Sequence, residues 1–115
     1  MNAPSLADLS DDASRLLSTL ATGETWTQRD LALAVLGLAP QGVRRIQAAT
    51  QEARLAGWPI VSDGDGVRLA TDPGEVAACA EALRRRAISQ FLTARALRRT
   101  AERMTVPLQL WETVA

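Results

Sequence analysis

The chain contains no histidine, no tyrosine and no lysine, and all 13 of its basic residues are arginine. Without histidine there is no imidazole general base, no Ser-His-Asp or Cys-His pair, and no imidazole ligand for zinc or iron. Without lysine there is no Schiff base and no P-loop lysine to cradle a phosphate. The single cysteine, Cys79, excludes an internal disulfide and a thiolate metal cluster, and is read as a small apolar residue. No run approaches the ~18 consecutive apolar residues of a membrane span. The opening MNAPSLADLSDD has neither the basic start nor the apolar run of a signal peptide. A cytoplasmic binding module, with no cofactor, no metal and no membrane partner, is therefore the expectation rather than an enzyme.

What is present is the composition of one small domain: 115 residues, 47% hydrophobic and 23% charged, with room for one modest core. The formal net charge of zero conceals a division. Residues 1–72 carry six Arg against nine acids, net −3, whereas 73–104 carry seven Arg against three acids, net +4. Glu112 in the last eleven residues restores neutrality. An acidic front is joined to a basic segment.

Ser10, followed by Asp11 and Asp12, predicts a helix start, with a hydroxyl cap and two carboxylates where the helix dipole favours them. Leu9, Ala13, Leu16, Leu17 and Leu20 form an apolar stripe that Gly23 ends, so the first helix is expected over 11–22. Thr25-Trp26-Thr27 is too short to predict a strand. Thr27 to Asp30 reads as a capping-box start for a second helix through Leu31, Ala32, Val35 and Leu36, closed by Gly37. Pro40 is expected to open a third helix that reaches Ala56. Its inward face is Val43, Ile46, Ala49 or Thr50, and Ala53; its outward face is Gln41, Arg44, Arg45, Ala48 and Gln51. Trp58 to Ser62 reads as extended, Asp63-Gly64-Asp65-Gly66 as a hairpin turn, and Val67 to Ala70 as the returning strand. Asp63 and Asp65 are thus turn formers, not catalytic acids. Thr71 or Asp72 caps a last helix, with Pro73 in its first turn, that nothing breaks before Met104, a length of about 45 Å.

The fold class expected is mainly α with a small β-hairpin wing (α+β), and this order of elements is that of a winged helix-turn-helix domain. Leu17 and Leu20, Trp26-Thr27, Asp30-Leu31-Ala32, Leu36-Gly37, Val43 and Ile46 carry a resemblance to a family, as do Arg54, Gly57 to Ile60 and Gly66 to Leu69. The stretch resembles the helix-turn-helix domain at the N-terminus of biotin-repressor-type proteins and of short phage-encoded winged-helix proteins. The likeness covers about 14–72. Two departures are a third helix one turn longer than usual and Val67 where an aromatic is commonest.

The resemblance implies a third helix in the major groove of double-stranded DNA and a wing on the backbone. It assigns groove contact to Gln41, Arg44, Arg45, Ala48 and Gln51, and phosphate contact to Thr27, Gln28 and Arg68. Arg reads guanine and Gln reads adenine, so the residue types suit the task. An exposed helix face is polar in any case, and Asp63 and Asp65 at the wing tip would face phosphates. A winged helix that contacts protein instead of DNA is therefore the alternative.

Along the last helix, Val76, Leu83, Gln90, Leu97 and Met104 recur every seven residues. Ala80, Ala87, Ala94 and Ala101 lie offset by four. This 4-3-4-3 seam predicts a coiled-coil homodimer, with small residues that let two helix axes approach closely; the alternative is a stripe that covers the chain's own winged core, against which the ~45 Å length of the helix counts. The division expected is a flexible 1–10, a winged domain over 11–72, a pairing helix over 73–104 and an apolar tail over 105–115. Such an apolar tail is expected to fold back on the chain's own core; the alternative is docking on a partner, since Leu108, Leu110 and Trp111 resemble the anchors of the motif by which bacterial replication and repair proteins dock on the sliding clamp. Pro107 stands there where Gln is usual. Together these features point to a bacterial or phage DNA-binding protein, a dimeric transcriptional regulator or replication accessory factor at the nucleoid.

Overall fold

The computed structural model describes residues 6–104. In order these form α1 (Asp11–Leu20), α2 (Gln28–Leu36), α3 (Val43–Leu55), β1 (Ile60–Asp63), β2 (Gly66–Leu69) and α4 (Pro73–Arg103). The fold is mainly helical, with one antiparallel two-stranded hairpin and a long C-terminal helix.

The local signals act where the residue chemistry places them. The Ser10 hydroxyl accepts the Ala13 N–H at 3.2 Å and starts α1. The Thr27 hydroxyl accepts the Asp30 N–H at 3.0 Å and starts α2. Asp72 accepts the Glu75 N–H at 3.1 Å, with Pro73 in the first turn of α4, where a missing N–H costs nothing. Each interaction satisfies one of the donors that a helix start leaves open.

The core lies among α1, α2, α3 and the hairpin. Leu16, Leu20, Leu31 and Ile46 are its largest fully buried side chains, each contributing about 1.5–3 kcal/mol by leaving water. Ala13, Leu17, Ala32, Val35, Ala49 and Ala53 complete the helical part, and Ile60 and Val67 bring in the hairpin. Trp26, Val43 and Trp58 pack half-buried around it. Thr50 is buried and polar, its hydroxyl donating to the Ile46 carbonyl at 2.8 Å.

Two helix limits differ from the sequence expectation. The helix α1 ends at Leu20 rather than 22, with Ala21 and Thr22 already in a turn. The helix α3 begins at Val43 rather than Pro40, because Pro40, Gln41 and Gly42 form the turn that brings α2 against it. Gly42 is buried there, and a Cβ on it would lie 2.5 Å from the Leu38 carbonyl oxygen and 3.2 Å from the Ala32 Cβ. Only glycine allows that approach, so the turn extends to position 42 and α3 has 13 residues. The expected extra turn of this helix is absent.

The hairpin has the expected turn and pairs Ile60 with Leu69 through Asp63 with Gly66. Its second strand is bonded along both edges, because Trp26 and Val67 exchange backbone hydrogen bonds at 2.9 and 2.7 Å. A single bridging residue has no alternation to detect in a sequence.

Contacts divide the chain into two compact units after Cys79, within α4. The start of α4 belongs to the first unit: Glu75 accepts the Thr71 N–H at 2.9 Å and pairs with Arg68 at 3.3 Å. Arg54 reaches the Cys79 sulfur at 3.7 Å.

Gly66 has φ +134, and a Cβ on it would collide with the Trp26 carbonyl oxygen. Gly66→Ala is expected to destabilise the protein by about 1–3 kcal/mol, read as a lower urea midpoint with an unchanged slope. An unchanged midpoint would mean that Trp26 is not held against β2.

Candidate nucleic-acid interface

At about 100° per residue, α3 has an inward side, two flanks and an outward strip. Ile46, Ala49, Thr50 and Ala53 are the inward side, and all are buried. The first flank meets α1. Arg45 donates from Nε and a terminal nitrogen to both oxygens of Asp12, at 3.0 and 2.8 Å. Ser10 donates its backbone N–H and its hydroxyl to the two oxygens of Glu52, each at 2.7 Å. Glu52 thereby completes a capping box from another helix, at the place a glutamate three residues after Ser10 would fill; Ala13 stands there instead.

The second flank meets α2 and the hairpin. Gln47 donates to the Gln28 side-chain oxygen at 2.9 Å. Arg54 donates to the Ile60 carbonyl at 2.8 Å and to the Ser62 hydroxyl at 3.1 Å, which fixes β1 against the end of α3. The outward strip is what remains: Arg44, Ala48, Gln51 and Leu55, all exposed, with Leu55 at 81%.

The residues read from the sequence as DNA-contacting fall into three groups. Arg44, Ala48 and Gln51 share the outward strip, and Arg44 has no ion pair among the described residues. Gln41 is exposed in the turn before α3, not on the helix. Thr27, Gln28, Arg45 and Arg68 are engaged within the chain. Thr27 caps α2, Gln28 holds Gln47, Arg45 holds Asp12, and Arg68 pairs with Asp63 at 2.8 Å and Glu75 at 3.3 Å. Arg68 therefore spans the two ends of β2, joining the hairpin turn to the first turn of α4.

These contacts set the local electrostatics. Hydrogen bonds from Ser10 hold Glu52 below the ordinary carboxylate range. Arg68, aided by the Asp65 N–H, does the same for Asp63. The Thr71 N–H, followed by Arg68, lowers Glu75. Arg45 and Arg68 are correspondingly raised, first by their hydrogen bonds to Asp12 and Asp63. The sequence does not point to Asp12 and Glu52 as partners, since each bonds a residue on another element 33 or 42 positions away, whereas Glu75 stands at a local spacing from Thr71 and Asp72 and adds the more distant Arg68.

On α4 the seam residues Val76, Ala80, Leu83, Ala87, Gln90, Ala94, Leu97, Ala101 and Met104 are all exposed, as are Ile88, Phe91 and Leu92. Leu108, Leu110 and Trp111 lie outside the described residues. No described helix is long and apolar enough to cross a membrane. Compared with protein-family models, curated proteins and solved structures, the chain matches none.

Because Glu52, Asp63 and Glu75 have folded pKa values below their unfolded ones, the unfolded chain binds more protons as these groups titrate. Their stabilisation is complete above about pH 5 and is lost as pH falls through the ordinary carboxylate range near 4 and below. Thermal melts are expected to be level from pH 7 to about 5 and to fall below that. Glu52→Gln should lower Tm at neutral pH and flatten the acid limb; an acid limb identical to that of the native chain would remove Glu52 from this account.

Proposed function

We propose that the chain is a double-stranded DNA-binding protein of the winged helix-turn-helix kind, a dimeric transcriptional regulator or replication accessory factor in bacteria or phage. One observation carries the reading: α3 has a solvent-facing strip with Arg44 and Gln51, of which Arg44 has no ion pair among the described residues, beside a hairpin whose second strand is bonded on both edges. A helix fixed on three sides and open on the fourth suits insertion into a groove about 12 Å wide. The base-reading set is then Arg44 and Gln51, with Gln41 in the turn before them. Arg45 and Arg68 approach phosphates only in competition with Asp12, Asp63 and Glu75. Arg45 remains 54% exposed, so its pair with Asp12 is of the weak, exchangeable kind.

Arg44→Ala is expected to weaken binding to a selected duplex by about 1–3 kcal/mol. Asp12→Asn, which releases Arg45 and removes a negative charge, is expected to tighten it by up to about tenfold. The internal pairing of Arg45 and Arg68 favours one second reading, a winged helix that contacts a protein. Unchanged DNA affinity in the Arg44→Ala, Arg45→Ala double variant would select that reading.

Dimerisation is proposed through the Ala80, Ala87, Ala94 and Ala101 column, with Val76, Leu83, Leu97 and Met104 supplying bulk and Gln90 setting register. Two half-sites engaged together convert the modest contacts of a short reading helix into useful affinity. Ala87→Glu with Ala94→Glu is expected to turn a sedimenting dimer into a monomer while leaving the thermal unfolding of the first unit in place. A native chain that sediments as a monomer at tens of micromolar would contradict the pairing.

A further inference from the structure

Taken unit by unit, the charge division sharpens. Residues 1–79 carry six Arg against ten acids, net −4, whereas 80–104 carry seven Arg against Glu81 and Glu102, net +5. Three of the six arginines in the first unit, Arg45, Arg54 and Arg68, are already committed to internal partners. A duplex meeting that unit alone meets net repulsion, whatever Arg44 and Gln51 read.

In the second unit the arginines are differently disposed. Arg84 and Arg85 are 69% and 79% exposed, and share Glu81 at 3.6 and 3.4 Å, distances at which exposed pairs on one helix contribute little. Arg86, Arg95, Arg98 and Arg99 are exposed and form no ion pair among the described residues. Around the helix axis, Arg84, Arg85, Arg95 and Arg99 lie to one side of the alanine column, so occupation of that side leaves the column free to pair. Along the axis they fall in two clusters, Arg84 with Arg85 and Arg95 with Arg99, ten to fifteen residues apart, roughly 15–22 Å at 1.5 Å per residue. That spacing exceeds the width of a major groove, about 12 Å, so the flexible side chains of the two clusters can reach phosphates on both of its borders.

We infer that this side of α4 is a second nucleic-acid surface, one that grips the phosphate backbone without reading sequence and supplies the attraction that the first unit lacks. The inference rests on the DNA-binding reading and divides its labour: α3 discriminates and α4 binds. Each arginine that neutralises a phosphate releases a counterion, so the salt dependence of affinity belongs to α4 and the sequence dependence to α3.

The test measures affinity of the full chain for a random duplex and for a selected one across about 50–300 mM salt. The native chain is compared with the Arg84→Gln, Arg85→Gln, Arg95→Gln, Arg99→Gln variant and with Arg44→Ala, and circular dichroism confirms that α4 keeps its helicity. The fourfold variant is expected to lose at least tenfold in affinity for both duplexes at low salt. Its log–log slope should become shallower by about 3–4, at roughly 0.9 per phosphate. Arg44→Ala should change the slope by no more than about one and lose discrimination. An unchanged slope in the fourfold variant, with discrimination still lost in Arg44→Ala, overturns the inference and leaves the α3 reading standing. No duplex binding by the native chain overturns both. If the fourfold change instead abolishes a DNA-free self-association that dissolves in salt, the arginines face the acidic unit of a second copy and the inference falls.

Discussion

The fixing of α3 on three sides is the constraint from which the rest of the first unit follows. Its inward side contributes Ile46, Ala49 and Ala53 to the core, but apolar contact alone leaves a helix free to rotate or slide by a fraction of a turn. The polar ties remove that freedom. Ser10 with Glu52 and Asp12 with Arg45 join it to the start of α1 at two points seven residues apart on α3. Arg54 joins its other end to β1. Each exposed tie contributes little alone, yet together they specify one rotation of the helix. That rotation decides which residues face water.

The same ties thin the cationic surface. Of Arg44 and Arg45, neighbours in sequence, one faces solvent with no ion pair among the described residues and the other is drawn to a carboxylate, a difference produced by the 100° between successive side chains and by the presence of Asp12. Arg68 is likewise used to brace the hairpin against α4 rather than left at its tip. On the proposed DNA-binding reading, a first unit with net negative charge discriminates rather than adheres, and the seven arginines after residue 80 would supply the attraction.

Much of the fold was legible because its signals are local. Ser10, Thr27 and Asp72 act as caps, the stripes of α1 to α3 are buried as their periods require, and the Asp-Gly-Asp-Gly turn closes the hairpin. What was not legible depends on distant neighbours. Pro40 suggested a helix start, but the close approach of Gly42 to Ala32 and Leu38 keeps the chain in a turn until Val43. The Trp26 bridge is one residue long, and the partners of Arg45 and Arg68 lie on other elements. In the candidate site the residue types were legible and their availability was not, because availability is set by carboxylates that no spacing rule connects to them.

On the proposed function, α3 reads DNA with the strip its ties leave open. The most direct measurement is a backbone amide NMR titration of the isotope-labelled full chain with duplex DNA. Shifts concentrated at Gln41, Arg44, Ala48 and Gln51, with Ile46 and Ala53 on the buried side changing little, are the predicted result. Shifts confined to other elements, with the α3 strip unmoved at saturating duplex, would contradict it.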